Sequence, residues 1–442
     1  MAGIVSLDET NIEHLFEFAT AFDVTVLVGS ISGGVLELKA PVNPRLFGEG
    51  FEIKRGDELT LDASASGRGL YSKRLGVQEK ELDWYVNCIP DAYRESFRKQ
   101  GLKPVRFEAT LNCVAQAEDV GQHASGVGLV RSELFAYSDA SQRSSLKNIF
   151  LGNDCDGSSL QKFASGQQKQ YEQMFDAFGQ QRHFGIFPVR TRLLDALPNE
   201  ILNAKELLTL SNKIPAANWR GVQMGLHCSG LYEAQLKSLF AAYARHLGKR
   251  KERPNLINAR LEICVPMTQT VAEIEAVRKM ARIAAKETNV SSRQFGVGSM
   301  IEHMVAVANI DMIAPLVQSL NIGGNDLTEQ ILGIPRGDAK ARNECRLKQG
   351  DPYAVLYPQV LSQVAAIAQK AREANPRIKV GFCGAQATDL DSLLALGQVG
   401  LDYVSVPPTD RNLIALQADF ALRDFALRFD GKKKRNPQNS PS

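Results

Sequence analysis

The chain has 442 residues, 44% of them hydrophobic and 23% charged, with a formal net charge of +3. It is too long for one small core and suits a large domain plus a smaller module, while its charge is too slight to argue for a nucleic-acid partner. No apolar stretch approaches the ~20 residues of a membrane helix, no signal-peptide pattern opens the chain, and its scattered cysteines lack any C-x-x-C pair, arguing against a zinc site or disulfide framework; a cytoplasmic location is expected.

Up to about residue 70, short apolar runs alternate with glycine turns. Ala2-Gly-Ile-Val5 comes first, then a helix-like stretch from Ile12 to Phe22 with Asn11 as its cap. Val24-Thr-Val-Leu-Val28 follows, and Gly56-Asp-Glu-Leu-Thr-Leu-Asp62 predicts a strand entering a turn. Residues 75–103 are charged and helix-permissive, suited to a linker between two modules.

From Val105 onward strand-like runs recur: Arg106–Leu111, Gly126–Val130, Phe184–Val189, Leu261–Val265, Phe295–Ile301, Val317–Ile322, Lys379–Cys383 and Tyr403–Val406. Amphipathic stretches such as Val271–Lys286 and Val360–Ala374 separate them. This alternation predicts a parallel sheet with covering helices. The strand count is near eight, with Val222–Leu226 a further candidate, and periodicity does not separate a closed barrel from an open sheet. The polar, Gly/Ser-rich segment Ser138–Gly166 is expected to be an irregular loop region. Lys432-Lys-Lys-Arg435 lies in a Pro/Ser/Asn-rich stretch, expected to be a solvated, disordered basic tail over 429–442.

Chemistry-bearing residues gather where these runs end. Gly298-Ser-Met-Ile-Glu302 ends in an acid, Ile322-Gly-Gly-Asn-Asp326-Leu-Thr328 carries an amide-acid pair, and Arg336-Gly-Asp338 follows one loop later. Two carboxylates can hold a hard divalent cation through oxygen, while Asn and Arg suit an anion. Together they equip the chain for a metal-bound, negatively charged substrate.

These segments resemble the phosphoenolpyruvate (PEP)-binding barrel of the PEP-utilising enzymes, a family that includes pyruvate phosphate dikinase, PEP synthase and the first enzyme of the sugar phosphotransferase system. Asn325-Asp326-Leu327-Thr328 fits the family's G-T/S-N-D-L-T-Q pattern, with Gly324 for Thr or Ser and Glu329 for Gln. Gly126-Val-Gly-Leu-Val-Arg131-Ser-Glu133 is similar to G-I-G-L-x-R-T-E, and Arg192-Leu-Leu-Asp195 to the R-L/T-L-D motif. Ile214-Pro-Ala-Ala-Asn-Trp-Arg220-Gly matches N-P-x-L-G-x-R-G at Pro215, Arg220 and Gly221 only. Val380-Gly-Phe-Cys383-Gly384 resembles G-x-C-G-E, with Ala385 in place of the acid and Gln386 beside it.

The resemblance implies an α/β chain in which a (β/α)8 TIM barrel over 105–428 follows a small, partial swivelling domain of the phosphohistidine type over 1–70, joined by a helical linker at 71–104. It further implies that Arg131, Arg192, Arg220, Asn325 and Arg336 bind substrate, and that Glu302 and Asp326 hold Mg2+, with Mn2+ as an alternative. Cys383 becomes the acid that protonates an enolate carbon. His14 lands on the phospho-acceptor position of the swivelling domain, although Ile12-Glu13-His14-Leu15-Phe16 replaces T-S-H-A-A. The activity implied is phosphoryl transfer between PEP or pyruvate and a histidine. No G-x-x-x-x-G-K-S/T motif occurs, so a separate ATP-grasp nucleotide-binding subunit is the expected partner, alongside homodimerisation, with neither nucleic acid nor membrane involved. A non-catalytic PEP- or pyruvate-binding regulatory protein and a magnesium-enolate lyase are the alternatives.

Overall fold

A computed structural model describes the strands between 29 and 71 at backbone level, then residues 105–407 apart from 119, 121–123, 155, 181–184 and 216–219, and finally 420 and 424. The chain divides into two compact units, Val105–Leu413 and Met1–Pro104 with Ile414–Ser442. In the second of these, β1 (Gly29–Ser32), β2 (Val35–Leu38) and β3 (Ile53–Lys54) form an antiparallel sheet, and β4 (Thr60–Asp62) pairs antiparallel with β5 (Gly69–Tyr71). The strand expected within Gly56–Asp62 is thus β4. The helix expected over Ile12–Phe22, with His14, lies outside the described residues, as does the linker.

In the larger unit, eight parallel strands close into a barrel in chain order. They are β6 (Arg106–Leu111), β7 (Val127–Arg131), β8 (Phe187–Arg192), β9 (Ala259–Val265), β10 (Phe295–Ile301), β11 (Ser319–Gly323), β12 (Lys379–Cys383) and β13 (Tyr403–Val406). β13 pairs back onto β6, with Tyr403 opposite Arg106. Helices lie between successive strands, the connection that parallel pairing requires. Helix Val271–Glu287 shows how the sequence encodes this layer. Thr270 and Glu273 form a reciprocal cap at its start, and Ile274, Val277, Ala281 and Ala284 form its buried stripe. Among the described residues, no helix is long and apolar enough to cross a membrane.

Two expectations are overturned. Ser138–Gly166 is not an irregular loop: helices Ala140–Leu151 and Ser158–Ala177 occupy most of it. Asp139 caps the first and Asp154 accepts from the Ser159 and Leu160 amides at the start of the second. Leu146, Ile149, Phe150 and Phe163 are buried, so sparse apolar residues at helical spacing outweigh polar composition. Val222–Leu226 is no strand either, but part of helix Gly221–His227. Its buried residues Gly221, Val222, Met224 and Gly225 follow the i, i+1, i+3, i+4 rhythm of a helix face.

The barrel interior is polar at mid-height. Arg190, fully buried, bonds Glu262 Oε2 at 3.0 Å and Glu108, and its guanidinium lies 3.7 Å from the centre of the Tyr403 ring. Ser319 donates to Glu262 at 2.8 Å, Asn321 to the Cys264 thiol at 3.0 Å, and the Tyr403 hydroxyl to Asn321. Gly381 admits that ring, since a Cβ there would sit 2.1 Å from it. Leu129, Cys264, Met300 and Cys383 form a buried cluster.

Burial raises the phenols of Tyr171, Tyr232 and Tyr403 above the ordinary value near 10. An acid whose folded value is raised contributes stability that is complete below its unfolded value and is lost as pH climbs through the folded one. Resistance to urea is therefore expected to hold to about pH 9 and then fall, each phenol contributing up to about 1.4 kcal/mol per pH unit. Unfolding midpoints between pH 8 and pH 11 check this; a flat profile would refute it.

Candidate active site

The C-terminal ends of the strands carry nearly all the polar candidates. Arg131 closes β7, Arg192 closes β8 and Cys383 closes β12. Glu302 follows β10, and Asn325 and Asp326 open helix Gly324–Leu332 immediately after β11. β7 and β8 pair with Arg131 opposite Arg192, which sets two guanidinium groups side by side.

These side chains form a ladder of alternating charge. Arg131 Nε donates to Glu133 Oε1 at 3.0 Å, and the same oxygen accepts from Arg192. Arg192 pairs with Asp195 at 3.1 Å. Asp195 then receives Arg220 through two bonds of 3.0 Å, and Arg220 reaches on to Asp326 at 2.5 and 3.2 Å. Three arginines and three acids thus run from β7 to β11. Such fork-to-carboxylate bonds fix direction as well as charge.

Glu302 lies buried beside this ladder. Its Oε1 accepts from the Met267 amide at 2.8 Å, and Met267 adopts a φ of +50° to present that amide. For a residue with a Cβ this left-handed conformation costs on the order of 1 kcal/mol. Gly323 makes room on the other side, since a Cβ there would lie 2.4 Å from Glu302 Oε2. Burial pushes the Glu302 carboxyl up to about 7, helped by the charges of Asp326 and Asp195. Burial would raise Asp326 too, but the charge and hydrogen bonds of Arg220 outweigh it and hold that carboxyl below its usual value.

Among the described residues, no group of three or more His, Cys, Asp or Glu is arranged to hold a metal ion. A two-carboxylate set nevertheless fits magnesium, which takes one or two carboxylates and fills its octahedron with substrate oxygens and water. Burial lifts Glu302 first and the like charges of Asp326 and Asp195 add to it; a divalent cation would relieve that added repulsion.

Cys383 is 7% exposed, and its thiol donates to the Ile322 carbonyl at 3.4 Å. Burial pushes it up to about 12; Glu302 and Asp326 push the same way, while Arg192 and Arg131 pull down. The thiol therefore carries its proton at neutral pH. Asn325 Oδ1 accepts from the Ala385 amide at 3.4 Å, which ties it to the turn after Cys383. Gln386, the residue beside Ala385, is buried and donates to Thr328 at 3.1 Å and to the Pro352 carbonyl at 3.0 Å, so its amide nitrogen secures the neighbouring helix.

Of the residues singled out from sequence, Arg131, Arg192, Arg220, Glu302, Asp326 and Cys383 come together. Asn325 stands at their edge. Arg336 is exposed on the loop after helix Gly324–Leu332 and acts on Asp326 through its field. His14 lies outside the described residues. Sequence reasoning gave no role to Glu133, Asp195 or the Met267 amide, although an acid two residues after Arg131 and another three after Arg192 were visible signals.

The sequence profile described as "PEP-utilising enzyme, PEP-binding domain" matches residues 102–419. Pyruvate, phosphate dikinase from Flaveria pringlei chloroplasts is 28% identical over 392 residues, covering 80% of this chain and 39% of its own length. The Rickettsia bellii pyruvate, phosphate dikinase is 27% identical over 64% of this chain and 34% of its own. The chain thus spans about two fifths or less of these relatives. A citrate lyase structure from Burkholderia xenovorans LB400 aligns at 12% identity over 56% of this chain and 75% of its own, with a TM-score of 0.33, too slight to bear on fold or function. The profile covers well over half of the chain, and the chain therefore belongs to the PEP-utilising enzymes through their PEP-binding domain.

Proposed function

We propose that this chain performs magnesium-dependent phosphoryl transfer between PEP or pyruvate and a histidine, as a dikinase- or PEP-synthase-like subunit served by a separate nucleotide-binding partner. The observation that supports this best is the convergence of the arginine ladder, the Glu302/Asp326 pair and a protonated Cys383 on one end of the barrel.

In this reading, Arg131, Arg192 and Arg220 bind the migrating phosphoryl group, with Asn325 and Arg336 closing on it from the β11 side. Positioning and charge neutralisation carry most of the work in phosphoryl transfer. Glu302 and Asp326 would hold magnesium, which supplies positive charge to an oxygen that turns anionic as phosphate leaves. The Met267 amide keeps Glu302 oriented. Cys383 gives its proton to the substrate carbon and takes it back in the reverse direction. His14, or a histidine of another protein, accepts the phosphoryl group.

The test is intact mass after incubation with PEP and Mg2+, run beside a pyruvate assay and a His14→Ala control. A phosphoryl adduct with matching pyruvate is expected, either on this chain or on a histidine supplied by a partner. Mg2+-dependent PEP binding without any turnover, even beside a nucleotide-binding partner, would instead indicate a regulatory binding protein. Asp326→Asn is expected to weaken Mn2+ binding by at least about 100-fold, the upper end of what loss of a residue merely supporting a ligand costs. Electron paramagnetic resonance of free Mn2+ reads this directly, and unchanged binding would remove Asp326 from the metal site.

A further inference from the structure

Glu133 is the second residue of helix Ser132–Tyr137, one step past β7, and is 2% exposed. Its Oε1 is shared by two guanidinium groups from adjacent strands, Arg131 on β7 and Arg192 on β8. Its Oε2 is buried and has no hydrogen-bond partner among the described residues. Among the described residues Arg131 is bound only at Nε, the heel of its fork, and its side chain is 35% exposed. Among the described residues its two Nη groups make no ion pair, so they remain available to an anion. Arg192 is gripped from both sides, by Glu133 and by Asp195.

A carboxylate here opposes anion binding through its field, since it cancels positive charge where a phosphoryl group would sit. Without it, however, two like charges on neighbouring strand ends would repel, and the half-exposed Arg131 would turn away toward solvent. Field and geometry thus predict opposite effects of removing Glu133.

We propose that Glu133 is a positioning residue that locks Arg131 and Arg192 into a single phosphoryl-binding fork; this role rests on the phosphoryl-transfer reading above. Its contribution is orientation, supplied by one shared oxygen. The ligand parts that lie away from the fork, the carboxylate and enolate oxygens, owe it nothing.

The experiment compares PEP with oxalate, a dicarboxylate that offers the enolate-side oxygens but no phosphoryl group. Isothermal titration in Mg2+ is run on wild type, Glu133→Ala and Glu133→Gln, with thermal melts alongside. Glu133→Ala is expected to weaken PEP binding roughly 10- to 100-fold, the scale for residues that support a binding group, and to change oxalate binding by less than about threefold. Glu133→Gln retains an acceptor oxygen and should fall between it and wild type, and it keeps the test open should the alanine variant not fold. PEP binding that is unchanged or tighter in the folded variants would overturn the role, because charge alone would then explain the site. An equal loss of oxalate and PEP binding would also overturn it, since that marks a general collapse. Wild-type protein that binds oxalate but not PEP, or neither, would overturn the phosphoryl-transfer reading together with this role.

Discussion

On the proposed phosphoryl-transfer reading, replacing Cys383 with alanine is expected to slow proton exchange at the methyl carbon of pyruvate by about 10²- to 10⁴-fold, the usual contribution of a positioned acid or base, while PEP and oxalate binding change less than about threefold. The thiol sits at the end of β12, buried, with its proton directed at the Ile322 carbonyl. Burial first, and then the charges of Glu302 and Asp326, keep it protonated far above neutral pH. A weak acid is sufficient for this task, because an enolate carbon is a strong base. The same two acids that raise the thiol are those proposed to hold the cation, so the proton donor and the charge stabiliser are electrostatically linked. Following solvent deuterium into pyruvate by NMR, with Mg2+ and phosphate present, reads this partial reaction without any histidine acceptor. The substitution removes one sulfur from the Leu129, Cys264, Met300 cluster and should cost only about 1 kcal/mol of stability. An unchanged exchange rate would make Cys383 a packing residue of the barrel wall and pass the proton to water or another group.

The strands were legible because their ends are chemically marked. Arg106–Leu111, Phe295–Ile301, Lys379–Cys383 and Tyr403–Val406 are apolar-rich runs bounded by polar or turn residues, and the observed strands coincide with them. Closure of the barrel was not legible from period alone; it came from the family resemblance, since open and closed parallel sheets share one rhythm. Helices Ala140–Leu151 and Ser158–Ala177 were hidden by their serine and glutamine content, because a helix needs only a stripe of apolar residues and a cap. The acids Glu302 and Asp326, proposed to hold the metal, and the arginines were visible as residue types at strand ends. Their pairing was not: Glu133 meets Arg192 only because β7 and β8 register Arg131 against Arg192, and Arg220 meets Asp326 across 106 residues of sequence. Arg190 lies two residues before Arg192 and so shares its face in an extended strand, yet only the closed barrel places it against Glu108, Glu262 and Tyr403.

That buried arginine carries the largest expected stability effect. Arg190→Met is expected to cost about 3–5 kcal/mol, the range for removing one partner from a buried ionic group. Methionine fills comparable length but leaves Glu108 and Glu262 facing each other inside the barrel, with the partly exposed Arg106, 3.1 Å from Glu108, as the remaining counter-charge among the described residues. Burial already raises the Glu108 carboxyl, and the Arg190 charge is the largest influence holding it down. In the variant Glu108 would rise further and hold a proton more readily. Because a raised acid favours the folded state at low pH and loses that contribution as pH rises through its folded value, the variant should be relatively more stable at pH 5 than at pH 8. A simple packing defect would show no such slope. Adding Glu108→Gln should recover part of the loss at pH 8, because it removes one of the two stranded charges. Urea unfolding of both variants at the two pH values separates these cases, and a loss below about 1 kcal/mol with no pH slope would refute the ionic role. Arg190 stands two residues below Arg192 on β8, with Glu262 opposite it on β9 and Cys264 opposite Arg192. A slackened network would therefore reach the proposed phosphoryl-binding fork through the strand itself, so weaker PEP binding should accompany the lost stability.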